Sequence, residues 1–184
     1  MKKFSLIQRF RNKLRIDKSS EISIGKNVKI VDCSITIKGN NNTIHMKDNA
    51  RLRGAVIEII GNDCLISIGK NSMIGDNCYL TNKENGIKLI IGDNCGLSRN
   101  IKIMTSDGHP IYRDDIRINN AKDVVVEDNV WIADNVTILK GVHIGSGSVV
   151  GINSTVVKDV PEKCIAVGNP AKIIKENIVW KDKF

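Results

Sequence analysis

The sequence predicts an all-β solenoid: short parallel strands stacked into a three-sided prism, with one loop protruding from a corner and short extensions at both ends. Three observations carry that prediction. Aliphatic residues return at every sixth position, at Val126, Ile132, Ile138, Ile144, Val150 and Val156, and earlier at Ile68, Ile74, Leu80 and at Ile91, Leu97, Ile103. Three places after this beat stand Asn27, Asn71, Asn77, Asn94, Asn129, Asn135 and Asn153, with Gly147 in the same slot; these residue types adopt a left-handed backbone at least cost. Aromatics make up only 4 % of the 184 residues, so isoleucine and valine must build the core, and β-branched side chains suit a pleated surface. A period of six fits no helical repeat but is three times the strand alternation of two. Coils at such a period bury their apolar side only against a neighbouring coil.

In chain order, residues 1–21 form a basic extension. MKKFSLIQRFRNKLRIDK holds seven Lys or Arg and no apolar core resembling a signal peptide's. The segment is expected to dock on its own domain; the second reading is a short amphipathic basic helix touching an anionic membrane face. Residues 22–175 form the solenoid. Gly25, Gly69, Gly75, Gly92, Gly145 and Gly151 follow the beat by one place and suit tight corners. Three six-residue sides give about 18 residues per turn. The beat is looser before residue 68, where GNNNTI (39–44) and GNDCLI (61–66) predict wider corners. Residues 106–123 interrupt the beat and must bulge outward; residues 176–184 form a tail.

Lys and Arg outnumber Asp and Glu by 28 to 20, a formal charge of +8 that attracts phosphates and other anions. No basic motif with interleaved aromatics accompanies the charge, so nucleic acid is not an expected partner. The five cysteines are odd in number and none lies in a CxxC pair, which predicts reduced, buried thiols in a cytoplasmic protein. Nothing in the sequence approaches membrane-spanning length.

The loop TSDGHPIYRDD (105–115) places a histidine, the side chain suited to proton transfer near neutrality, on an excursion from a rigid scaffold. SDGHPIY, followed by RIN (117–119), AKDVVVEDNVWIADNVTILKGVHIGSGSVVG (121–151) and VGNPAKII (167–174), resembles the sugar O-acetyltransferase branch of the hexapeptide-repeat acyltransferases. The likeness covers residues 22–175 and is greatest to enzymes acetylating capsular, sialic-acid-containing or O-antigen polysaccharides. It implies a left-handed parallel β-helix, acetyl-CoA as co-substrate, no metal, a homotrimer with active sites between subunits, and a carbohydrate acceptor. It makes His109 the catalytic base. Trp131 corresponds to a tryptophan near the active site of these families, and Asn77 matches by position an acceptor-site asparagine of the galactoside acetyltransferases. Asp107 either orients the imidazole or caps the Ser-Asp-Gly turn; Tyr112 and Arg113 are placed to meet the acceptor. Asn82 and Glu84 lie just before the coil that leads to the loop, where Glu84 would bond the imidazole or the acceptor. For the cofactor the matching positions are Ala133, Ile152, Val157 and Lys158, with Lys172 and Lys175 near the phosphates. Val157 departs from a common threonine and Ile152 from a frequent alanine.

Rival readings are weaker. A γ-type carbonic anhydrase needs three histidines converging on zinc, and His45, His109 and His143 lack that clustered spacing. A non-catalytic β-helix would need no histidine-bearing loop. The alternative enzyme is an acetyltransferase for a small free sugar of the maltose or galactoside type. Nucleotide-sugar and serine acetyltransferases carry larger N-terminal domains, for which residues 1–21 leave no room.

Overall fold

The computed structural model describes residues 4–181. Three parallel sheets form the sides of a left-handed β-helix. Face I has six strands, from Glu21–Ile24 to His143–Ile144; face II has eight, from Lys29–Val31 to Ala171–Lys175; face III has seven, from Lys13–Ile16 to Thr155–Val156. The chain visits I, II and III in turn, so each strand pairs with the one a full coil later. The aliphatic beat becomes a buried column. On face III Ile35, Ile57, Leu80, Ile103 and Ile138 stack in register, all fully buried.

The asparagine column behaves as its chemistry requires. Asn27, Asn71, Asn77, Asn94, Asn129, Asn135 and Asn153 all have φ between 56° and 61°. Their side chains also bond along the corners, Asn71 Nδ2 donating to Asn94 Oδ1 at 3.0 Å and Asn135 Nδ2 to Asn153 Oδ1 at 3.0 Å. Coils meet tightly at the corner glycines: a Cβ on Gly69 would run into the Gly92 carbonyl.

Two boundaries differ from the sequence reading. Asn135 and Asn153 are 18 residues apart, as expected, but Asn49 and Asn71 are 22 apart and Asn71 and Asn94 are 23 apart. The extra residues fall in face III, whose early strands Ser34–Lys38, Val56–Ile60 and Tyr79–Lys83 have five residues each, and in the III–I corner after them. The solenoid also begins before residue 22, since Lys13–Ile16 already pairs in parallel with Ser34–Ile37. Ahead of it a short helix, Leu6–Arg11, opens with a capping box between Ser5 and Gln8. Buried Phe4 and Asn12 dock this segment on the first coil; Asn12 Nδ2 donates to the Ile30 carbonyl at 3.0 Å. All five cysteines are free and buried, and burial pushes the Cys78 and Cys95 thiols up to about 11.

Candidate active site

The loop leaves the III–I corner, the corner that earlier coils already widen. Its ends are pinched together where the Lys122 amide donates to the Thr105 carbonyl at 2.9 Å. Beyond that neck Gly108 takes φ +87°, a region costly for any side-chain-bearing residue, and delivers the chain to His109. Tyr112–Arg113 and Ile116–Arg117 form a hairpin across Asp114 and Asp115, both with positive φ as a primed turn demands.

Asn119 holds this excursion in shape. It is buried, donates from Nδ2 to the His109 carbonyl at 2.8 Å and to Asp107 Oδ2 at 2.9 Å, and accepts the Ile111 amide at 2.6 Å. Lys140, one coil on, bonds the Asp107 carboxylate and the Asn119 carbonyl. That ammonium holds the Asp107 carboxyl below its ordinary range. Arg117 donates through Nη2 to Glu84 Oε1, which also accepts from Ser106 Oγ at 3.1 Å, and the guanidinium holds the Glu84 carboxyl low. Five charged or amide side chains, Asn119, Asp107, Lys140, Arg117 and Glu84, thus fix the backbone around His109, while its imidazole is exposed and makes no hydrogen bond among the described residues.

This assigns different work to several residues singled out from the sequence. Asp107 does not bond the imidazole; it ties the turn to Lys140 and Asn119. Glu84 likewise anchors the loop base instead of reaching His109. Asn82 is fully buried, with Nδ2 donating to the Leu65 and Ile87 carbonyls at 2.9 and 2.7 Å, so it braces the corner and offers a ligand nothing. Tyr112 and Arg113 are exposed on the hairpin. Asn77 is exposed at the II–III corner, across face III from the corner that carries the loop. Trp131 stands on face II, in register with Gly96 and Val149. The loop and Trp131 therefore occupy different sides of one chain. Asn119, Lys140 and Arg117 carried no signal in the repeat, although the RIN (117–119) and 121–151 stretches that contain them carried the family likeness.

Four of the cofactor candidates border face III. Ala133 and Ile152 lie at its II–III edge, Val157 and Lys158 at its III–I edge above Lys140. Lys172 and Lys175 sit on the antiparallel strand Ala171–Lys175, opposite Val167 and Ile165. Ile152 and Val157 are exposed apolar side chains, and Lys158, Lys172 and Lys175 have no acidic partner among the described residues. An extended arm with amides and terminal phosphates suits such edges.

Comparison with known proteins agrees with this architecture. The family model for bacterial transferase hexapeptides (six repeats) matches residues 123–158. The polysialic acid O-acetyltransferase of Neisseria meningitidis is 41 % identical over 172 residues, covering 92 % of this chain and 79 % of that protein. Its namesake in Escherichia coli O1:K1 / APEC is 37 % identical over 140 residues; the match covers 74 % of this chain but only 44 % of that longer relative. The crystal structure of the polysialic acid O-acetyltransferase OatWY superposes with a TM-score of 0.80 at 36 % identity, covering 94 % of this chain and 89 % of that one. A hexapeptide-repeat acetyltransferase from Vibrio cholerae O1 biovar eltor, solved with acetyl coenzyme A, gives a TM-score of 0.51 at 28 % identity over 70 % of this chain and 71 % of its own. With its coil architecture, its histidine loop and these relatives, the chain belongs to the hexapeptide-repeat acyltransferases, in their surface-polysaccharide O-acetyltransferase branch.

Proposed function

We propose that this protein transfers the acetyl group of acetyl-CoA to a hydroxyl of a surface polysaccharide or its precursor, with His109 as general base. The observation that carries the reading is the fixed backbone around an exposed, unengaged imidazole. A sugar hydroxyl holds its proton too tightly to attack a thioester unaided. The imidazole removes that proton as the oxygen bonds to the acetyl carbon, and the CoA thiolate leaves. The proton then passes from imidazolium to thiolate, so enzyme, ester and CoA–SH balance without a covalent intermediate. A backbone N–H or amide donor would face the thioester oxygen as charge builds there.

The separation of His109 from Trp131 supports a homotrimer in which one copy's loop completes its neighbour's site. Ala133, Ile152, Val157 and Lys158 would line the pantetheine arm of acetyl-CoA, and Lys172 and Lys175 would meet its phosphates. Replacing His109 with alanine is expected to lower kcat by about 10²–10⁴ while leaving acetyl-CoA affinity intact. Thiol release, followed across acidic polysaccharides, neutral polysaccharides and free sugars, measures both the loss and the acceptor class. Unchanged turnover would reject the base.

Location at the inner membrane face, within the cytoplasm, is the companion reading. On the Leu6–Arg11 helix, Leu6, Ile7 and Phe10 share one face and are exposed, Phe10 by 94 %. Gln8 on the opposite side donates to the Val28 carbonyl, and Arg9 and Arg11 flank the apolar stripe. An apolar stripe between cations suits an anionic lipid surface. No helix among the described residues is long and apolar enough to cross a membrane.

A further inference from the structure

Trp131 is poorly restrained by the coils that carry it. It points outward from a strand of two residues and is 41 % exposed. On the coil before it the matching residue is Gly96, where a Cβ would find only Trp131 Cδ1, at 3.9 Å, so that rung supplies no side chain to pack against the ring. The indole N–H reaches Ser98 Oγ at 3.3 Å, long for an N–H···O bond. An exposed ring held by one long bond changes rotamer quickly.

The restraint comes from outside the solenoid. After the strand Ala171–Lys175 the chain turns back through Asn177, at φ +56°, and the Ile178 amide donates to the Lys163 carbonyl at 3.0 Å. Two coils earlier, Trp180 Nε1 donates to the Asn129 carbonyl at 2.7 Å. The tail thus descends along the I–II corner past the coil of Gly147, where this corner has glycine in place of asparagine and puts no side chain in its way. The rings of Trp180 and Trp131 meet with centres 6.2 Å apart and planes tilted by 44°, a separation at which aromatic pairs attract. Trp131 is therefore held from two sides, its N–H edge by Ser98 toward the II–III corner and its ring by Trp180 toward the I–II corner.

We propose that Trp180 is a positioning residue for acetyl transfer, acting through Trp131, and that the C-terminal tail is the strap that carries it. This rests on the reading above, which brings Trp131 to the site of a neighbour's His109. An indole exchanges no proton near neutrality, so Trp131 contributes by packing, and packing depends on where the ring sits. A ring that swings loses contact with the reactants that His109 must align.

A double-variant cycle on the full chain tests this, with thiol release from acetyl-CoA in the presence of a glycan acceptor as the readout. Trp180→Ala should lower kcat/KM for the acceptor about tenfold, the scale of an aromatic pair, while Trp180→Phe, which keeps a ring, should stay within about threefold. Trp131→Ala should lose at least as much as Trp180→Ala, and combining the two should lower the residual rate no further, because one residue works only through the other. An unchanged rate in Trp180→Ala, full activity in Trp131→Ala, or losses that multiply in the double variant would overturn the assignment; a merely structural tail would give the last. The chain has two tryptophans, so Trp131 is the sole indole emitter once Trp180 is replaced. Acrylamide should quench it more readily in Trp180→Ala than in Trp180→Phe, and equal quenching would also overturn the assignment. This comparison needs no turnover and so separates the two ideas. A protein that acetylates no glycan refutes the acetyl-transfer reading, and quenching then decides by itself whether Trp180 holds Trp131.

Discussion

Asn119 shows how one side chain can set the geometry of a site without touching a substrate. Its amide satisfies the backbone before and after His109 and ties both to Asp107 and Lys140. Asn119→Ala should therefore lower kcat about ten- to a hundredfold through misplacement of the base, leave acetyl-CoA affinity unchanged, and speed tryptic cleavage at Arg113; kinetics with limited proteolysis check it. His109 was legible in the sequence because it interrupts a period and sits in a specific motif. Asn119 and Lys140 were not, because their partners lie across a closed loop whose path no repeat encodes. Asn82 was misread for a different reason. Strand alternation from inward-facing Leu80 points Asn82 inward, and nearness to the loop does not override that parity.

Among elements, the corners were the most legible. A left-handed residue is needed wherever the chain turns, and asparagine supplies it with an amide left over for the next coil. Coil length was less legible. Nothing in the beat reveals that face III strands of five residues replace the two-residue strands of Thr137–Ile138 and Thr155–Val156, because inward residues alternate identically in both. The N-terminal segment has two readings in the sequence; in the structure one side of the helix docks on the first coil while the other is exposed. The free side predicts that the protein sediments with vesicles containing anionic phospholipid at low salt and much less with neutral vesicles. Leu6→Ser with Phe10→Ser should abolish this without altering turnover on a soluble acceptor; retention of binding by the double variant would remove the helix from the membrane reading.

For the whole molecule, the decisive arrangement is that His109 and Trp131 stand on different sides of the prism. If neighbours complete each other's sites, His109→Ala and Trp131→Ala chains should each be nearly inactive alone. Unfolded together and refolded, an equal mixture should regain activity at about a quarter of its sites; assay of the mixture against the separate parents measures it, and no recovery would place each site within one chain. The two ends of the stack bear on how such copies can meet. At the start, Phe4, Gln8 and Asn12 cover the first coil; at the finish, the chain doubles back and lays Ala171–Lys175 antiparallel against Ile165–Gly168. On face II neither end presents the bare parallel edge that another copy would need to continue the column. Head-to-tail fibres are thereby discouraged, and association is steered to the flanks.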